Sequence, residues 1–205
     1  MLPRSNYLRV QGVEVDRISS IVQADFTGYN SKDKIERQRL LRAFRDESLQ
    51  LTQSVYRTDR KSIPEPHWQI LVGSVTAGWG GPPKGGLPIS DALIGYKSHF
   101  NGVRRTQKEI GLGMRYISNV FAIFERRKYI ATTNGRVGVA PRTCRIGDII
   151  CVFQGARLPF VLRPNDDKGT TFSFVGDCYV YGLMESEALG MVEEGKLRFT
   201  DFVVT

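Results

Sequence analysis

A chain of 205 residues with 41% hydrophobic and 24% charged side chains has the size of one globular domain or two small ones. A chain of this length buries roughly 70% of its unfolded surface, so its stability requires no metal or disulfide staples. Its 29 Lys and Arg against 21 Asp and Glu give +8, which invites a nucleic-acid or anionic-surface reading without establishing it.

The charge is uneven along the chain. Residues 1–128 hold 21 basic and 12 acidic side chains, a net of +9, whereas residues 129–205 hold 8 and 9, a net of −1. Residues 1–6 carry no apolar core of signal-peptide length. The longest apolar runs, residues 120–124 and 149–153, fall far short of the roughly 20 needed to span a bilayer. A soluble, cytoplasmic protein with no membrane span is expected.

In chain order, residues 8–16 alternate well enough for a short strand, with Gly12 as a turn or bulge and Ile18, Ile21 and Val22 following. Asp33 and Glu36 then form a capping box ahead of Leu40, Leu41, Phe44, Ser48, Leu51 and Val55 at helical spacing. Arg39, Arg42 and Arg45 fall on the side away from that stripe, interleaved with Asp46 and flanked by Glu36 and Glu47. Such a mixed-sign face reads as ordinary solvated helix surface, because phosphate binding needs a less diluted positive field.

Residues 78–86, Gly-Trp-Gly-Gly-Pro-Pro-Lys-Gly-Gly, read as a surface loop between helical segments. Trp79 stands where a phosphate loop needs Lys followed by Ser or Thr, and Pro82 and Pro83 lack the N–H groups that cradle a phosphate. Gly111 and Gly113 lack the third glycine and the preceding strand of a dinucleotide fingerprint. Thr106 and Glu109 predict a second capped helix in which Ile110, Met114, Ile117, Phe121 and Phe124 share one packing face. Glu125, Arg126, Arg127 and Lys128 end that stripe.

From residue 128 the pattern changes to short strands and turns. Asn134-Gly135 is a hairpin signal between residues 128–133 and 136–139. Residues 149–153 and 158–163 make further strands, Asn165 to Gly169 a hairpin turn, and residues 172–181 one long strand or two successive ones. Strands at this spacing suggest a small antiparallel barrel or strongly bent sheet, with Gly135, Gly138, Gly147, Gly155, Gly176 and Gly182 at the corners. The expected fold class is therefore α+β. A mainly helical basic part (1–127, with a short N-terminal strand) packs on a barrel with a short C-terminal helix (128–205), the two being separate or one integrated domain.

No catalytic, cofactor-binding or metal-binding residue is assigned. Cys144, Cys151 and Cys178 have no CxxC spacing and lie in strand-like sequence, which suits reduced core thiols. His67 and His99 stand in no recognisable nucleophile or metal context. Glu185 and Glu187 fit the first turn of a short helix better than a catalytic acid pair, and Asp148 after Gly147 reads as a turn residue before a strand.

Four stretches together resemble the C-terminal region of fungal heterokaryon-incompatibility (HET-domain) proteins. They are Thr132-Thr133-Asn134-Gly135-Arg136-Val137-Gly138-Val139-Ala140-Pro141; Arg145-Ile146-Gly147-Asp148-Ile149-Ile150-Cys151-Val152 with Gly155; Pro159-Phe160-Val161-Leu162-Arg163-Pro164; and the run from Phe174 through Gly176-Asp177-Cys178-Tyr179 to Ala188. Residues 8–18 and Trp68-Gln69-Ile70-Leu71-Val72 are weaker echoes of the same family. Such proteins carry, ahead of this region, a HET domain that resembles TIR-type signalling domains and triggers cell death. The segment before Leu8 leaves no room for one, so the signalling activity is not carried over.

The resemblance implies a non-catalytic regulatory or recognition module that binds another protein. The alternative is a nucleic-acid-binding barrel that uses the basic helical part.

Overall fold

The computed structural model describes residues 7–24, 26, 34–72, 87–101, 106–167, 169–184 and 186–205. Asp33, the glycine-rich loop at 78–86 and Glu185 lie outside the described residues.

One long strand organises everything else. β1 (Leu8–Val22) holds fifteen residues and is shared by two sheets. Leu8 to Gly12 pair with β8 (Thr200–Val204), Gly12 to Arg17 with β4 (Ile149–Phe153), and Ile18 to Val22 with β2 (Arg127–Thr132). The Arg17 carbonyl accepts from Thr133 N at 2.9 Å while Ile18 N donates to the Asp148 carbonyl at 2.9 Å. Since successive residues of a strand bond in opposite directions, β2 and β4 lie on opposite edges of β1.

β4 continues into β5 (Phe160–Pro164) and β6 (Phe172–Asp177), and β6 meets β8 in parallel at Phe172 and Val204. The ring β1, β4, β5, β6, β8 is thereby closed, and closure removes the exposed edges that an open sheet would present. On the other side of β1, β2 pairs with β3 (Val137–Pro141) and β3 with the two-residue β7 (Tyr179–Val180).

The α+β fold with a barrel agrees with the sequence, with three differences: β2, β3 and β7 of the strand-rich half stand outside the ring, the N-terminal strand is part of the barrel wall, and the closing contact is parallel. Gly12 is also no turn: it stays in the ladder, paired on both sides, and a Cβ there would stand 2.7 Å from the Val152 carbonyl oxygen. The register shifts fall later, between Glu14 and Asp16 and between Ile18 and Ser20, where β1 bends from one sheet into the other. Gly138 likewise sits inside β3, where its missing Cβ lets the Tyr179 carbonyl approach, rather than at a corner.

Among the described residues five helices accompany the strands: α1 (Lys34–Tyr56), α2 (Glu65–Leu71), α3 (Ile89–Phe100), α4 (Gln107–Phe124) and α5 (Glu187–Glu193). α2 and α3 each begin after a proline, Pro64 and Pro88, whose fixed φ suits helix entry. α4 has the reciprocal cap its sequence predicts: Glu109 N donates to Thr106 Oγ1, and Thr106 N donates to the Glu109 carboxylate at 2.7 Å. Its buried face differs from the expected one. Leu112, Gly113, Tyr116, Ile117, Val120 and Phe124 face inward, while Ile110 and Met114 are exposed.

Three cores result. Ile149, Cys151, Leu162, Phe172 and Phe202, with Phe153, Phe160 and Val204, fill the ring itself. The outer wall of the ring (Val13, Ile150, Val161) packs against one face of the second sheet (Ile130, Ala140, Val180) and against Ala188, Met191 and Val192 of α5. The other face of that sheet (Tyr129, Ala131, Val137, Val139, Tyr179) is covered by α1 to α4. The second sheet is therefore a middle layer, buried on both faces, and its strands read as nearly continuous apolar runs for that reason.

Candidate functional site

Three aspartates in the family-like stretches are committed to arginines. Asp16, its side chain fully buried, accepts from Arg136 Nη1 at 3.0 Å, from Asn134 N at 3.0 Å and from Arg17 N at 2.9 Å. It thereby pins the Asn134-Gly135 hairpin to β1. Asp148, 3% exposed, accepts from Arg163 Nε at 2.9 Å and Nη2 at 2.8 Å and from Arg145 N at 2.8 Å. Asp177 takes Arg127 Nη2 on both carboxylate oxygens at 3.1 and 3.0 Å, while Arg127 Nη1 donates to its carbonyl at 3.0 Å. Each clamp joins segments distant in sequence, and charge-assisted bonds of this kind fix geometry as well as energy. Asp148, read as a turn residue, does follow a Gly147 with φ of +90°, but its carboxylate is also the anchor for β5.

Where the helices meet β2 there is a buried polar cluster that the sequence reading did not find. Thr52 Oγ1 donates to the Ser48 carbonyl at 2.8 Å and so accepts from Tyr129 OH at 2.7 Å. Ser48 Oγ donates to the Arg45 carbonyl at 3.1 Å and stands 3.0 Å from His67 Nε2, which assigns the ring N–H to Nε2. Tyr116 OH donates to the Trp68 carbonyl at 2.9 Å. A serine beside a histidine has the form of a nucleophile and its base, yet both are fully buried. Burial, and secondarily the Arg45 charge, lowers the His67 pKa to about 3, so the ring is neutral and a poor base. Burial also raises Tyr96 to about 12, and Tyr116 and Tyr129 upward. This is a structural network rather than a reacting centre.

Arg45 departs from its expected place on the solvated face. Its guanidinium lies 4.8 Å from the centre of the Phe100 ring and its Nε lies 3.0 Å from Asp46 Oδ1, whereas Arg39 pairs with Glu36 at 2.7 Å and Arg42 is exposed. His99 is half-buried beside Phe100. Glu187 opens α5 as expected. The three thiols are buried, and desolvation raises Cys144 to about 11, Cys151 to about 12 and Cys178 further up, so they stay protonated.

One groove open to a partner lies where the core between ring and second sheet reaches the surface. It encloses about 510 Å³ between the outer wall (Val13, Val152), the β4–β5 turn (residues 154–159) and α5. That volume lies in the range of ligand sites. Gly155, with φ of +79°, turns the hairpin, and α5 buries Ala188 while leaving Leu189 51% exposed at the rim. Phe199 is 37% exposed on the lining as well. Gln154 and Arg157 are its polar side chains, and Arg157 is in no ion pair among the described residues. None of the described lining residues is nucleophilic or acidic, so the groove suits an apolar group accompanied by a negative charge.

Comparison with known proteins agrees with the resemblance in the strand-rich half. Residues 99–199 match the Het-6 beta-barrel domain. Over 83 residues the chain is 32% identical to heterokaryon incompatibility protein 6, OR allele, of Neurospora crassa; that stretch is 40% of this chain and 11% of that protein. No solved structure matches. The matched residues run from the end of α3 through α5, so β1 and β8, two of the five strands of the ring, lie outside them.

Proposed function

We propose, for a chain that carries a HET-associated barrel region of the Het-6 type, a role as a non-catalytic recognition module in heterokaryon incompatibility. It binds a segment of another protein in the cytoplasm and so serves non-self recognition and the cell-death response that follows. The observation that carries this reading is the α5 groove, which is apolar, of ligand size and rimmed by Arg157, with no ion pair to that arginine and no nucleophile or acid in the lining among the described residues. The commitment of Asp16, Asp148 and Asp177 to arginines and the burial of Ser48, His67 and the thiols support binding over turnover.

A protein partner is favoured over nucleic acid because Arg39 and Arg45 are neutralised by Glu36 and Asp46, leaving Arg42 as the exposed cation of the three with no ion pair among the described residues. Panning a phage-displayed peptide library on the folded chain tests the reading. Enriched peptides should share a large apolar residue next to an acid, and Leu189→Asp should abolish their capture. Failure to enrich any common pattern, or capture indifferent to Leu189→Asp, would overturn it.

A further inference from the structure

A second surface lies away from the α5 groove, where α4 ends and β2 begins. Arg142 N donates to the Arg126 carbonyl at 3.1 Å, which sets these two exposed arginines side by side. From β2, Lys128 donates its ammonium to the Cys144 carbonyl at 3.2 Å, on the loop after β3 that also carries the exposed Arg145. Among the described residues Arg126, Lys128, Arg142 and Arg145 enter no ion pair. Of the neighbouring acids Asp177 holds Arg127 and Asp148 holds Arg163; the exposed Glu125 meets Arg142 Nη1 through its backbone carbonyl, at 3.5 Å.

Of these cations Arg126, with Arg142 beside it, borders an open depression of about 530 Å³ whose floor is Ala122, Ile123, Pro141 and Val175, with the paired Arg127 and Asp177 on its wall. We infer that this depression docks an acidic protein segment anchored by an aliphatic side chain. The choice of occupant follows from the lining. It holds no aromatic ring on which a nucleic-acid base could stack, and an aliphatic floor adds nothing to phosphate binding. A concave floor also cannot meet a flat lipid surface, whereas an apolar anchor flanked by carboxylates matches both floor and rim.

The inference does not depend on the α5 groove, and its test separates the two. Fluorescence anisotropy of a short labelled glutamate–leucine peptide is measured on the full chain. Binding is expected to weaken at least about tenfold in R126E/R142E, to persist in R126K/R142K and to be unchanged by Leu189→Asp. Both exposed arginines are peripheral to the core, so an unchanged melting temperature shows that the charge-reversed chain is folded. Equal binding by folded R126E/R142E would overturn the inference. So would tighter binding of a single-stranded oligonucleotide or of phosphatidylserine vesicles at the same salt, since the patch would then belong to another class of partner.

Discussion

The Arg163 guanidinium grips both carboxylate oxygens of Asp148, at 2.9 and 2.8 Å, from a strand fifteen residues further along the chain. The two partners are unequally buried, the aspartate side chain 3% exposed and the arginine 26%. That asymmetry ranks their substitutions. Arg163→Ala strands a buried carboxylate and is expected to cost about 3 kcal/mol, whereas Asp148→Ala leaves an arginine that can turn to water and should cost about 1–2 kcal/mol. Urea unfolding of the two variants decides the order, and the reverse order would mean that Arg163 acts through its packing.

His67 gives the fold an acid sensitivity of known sign. Its pKa is about 3 when folded and near 6.5 when unfolded, so the unfolded chain binds the extra proton between these values. Its contribution is complete above about pH 6.5 and is lost as pH falls toward 3, by at most about 1.4 kcal/mol per pH unit. Folded His67→Gln should show a shallower loss of stability between pH 6.5 and 4.5, where ordinary carboxylates contribute little. An identical slope would show that the ring is not buried as described.

The two buried tyrosine hydroxyls of the helical layer should behave differently. Tyr116 OH serves the Trp68 carbonyl, and Tyr116→Phe is expected to cost about 1–3 kcal/mol. Tyr96 OH makes no hydrogen bond of good geometry among the described residues and has only the nearby Arg45 side chain to interact with, so Tyr96→Phe should cost clearly less than Tyr116→Phe. Thermal melts of the pair check this, and comparable losses would place an unseen partner on Tyr96.

Cys144, Cys151 and Cys178 should resist a thiol reagent such as Ellman's at pH 8 in the native protein and all react in guanidinium, because burial keeps them protonated. Rapid native labelling of even one would contradict the assignment of these residues to the cores.

Much of the strand-rich half was legible because its signals are local. Asn134-Gly135 marks one hairpin and the run from Asn165 to Gly169 another, and both turns are where the sequence puts them. The closing strand β8 was missed because its worth lies in pairing with Leu8 to Gly12 at the far end of the chain, which no local pattern encodes. α4 shows the same limit on a smaller scale. Its cap was readable, but its inward face was set by close approach to α3, where Cβ atoms on Gly95 and Gly113 would crowd Leu112 and Ser98. A glycine at a helix crossing carries no hydrophobic signal, so the sequence puts Ile110 and Met114 on the packing face where they are exposed, whereas Ile117, Phe121 and Phe124 pack as expected.

The clamps and the groove were invisible for a related reason: an aspartate after a glycine looks like any turn, and nothing along the chain says that Arg163 will reach it.

The measurement that bears most directly on recognition through α5 is an anisotropy titration of a panned peptide against the wild-type chain, Leu189→Asp and R126E/R142E. At least about a tenfold loss of affinity in Leu189→Asp, with unchanged melting temperature and near wild-type affinity in R126E/R142E, is the expected result. Undiminished affinity in folded Leu189→Asp would contradict the α5 groove as the recognition site.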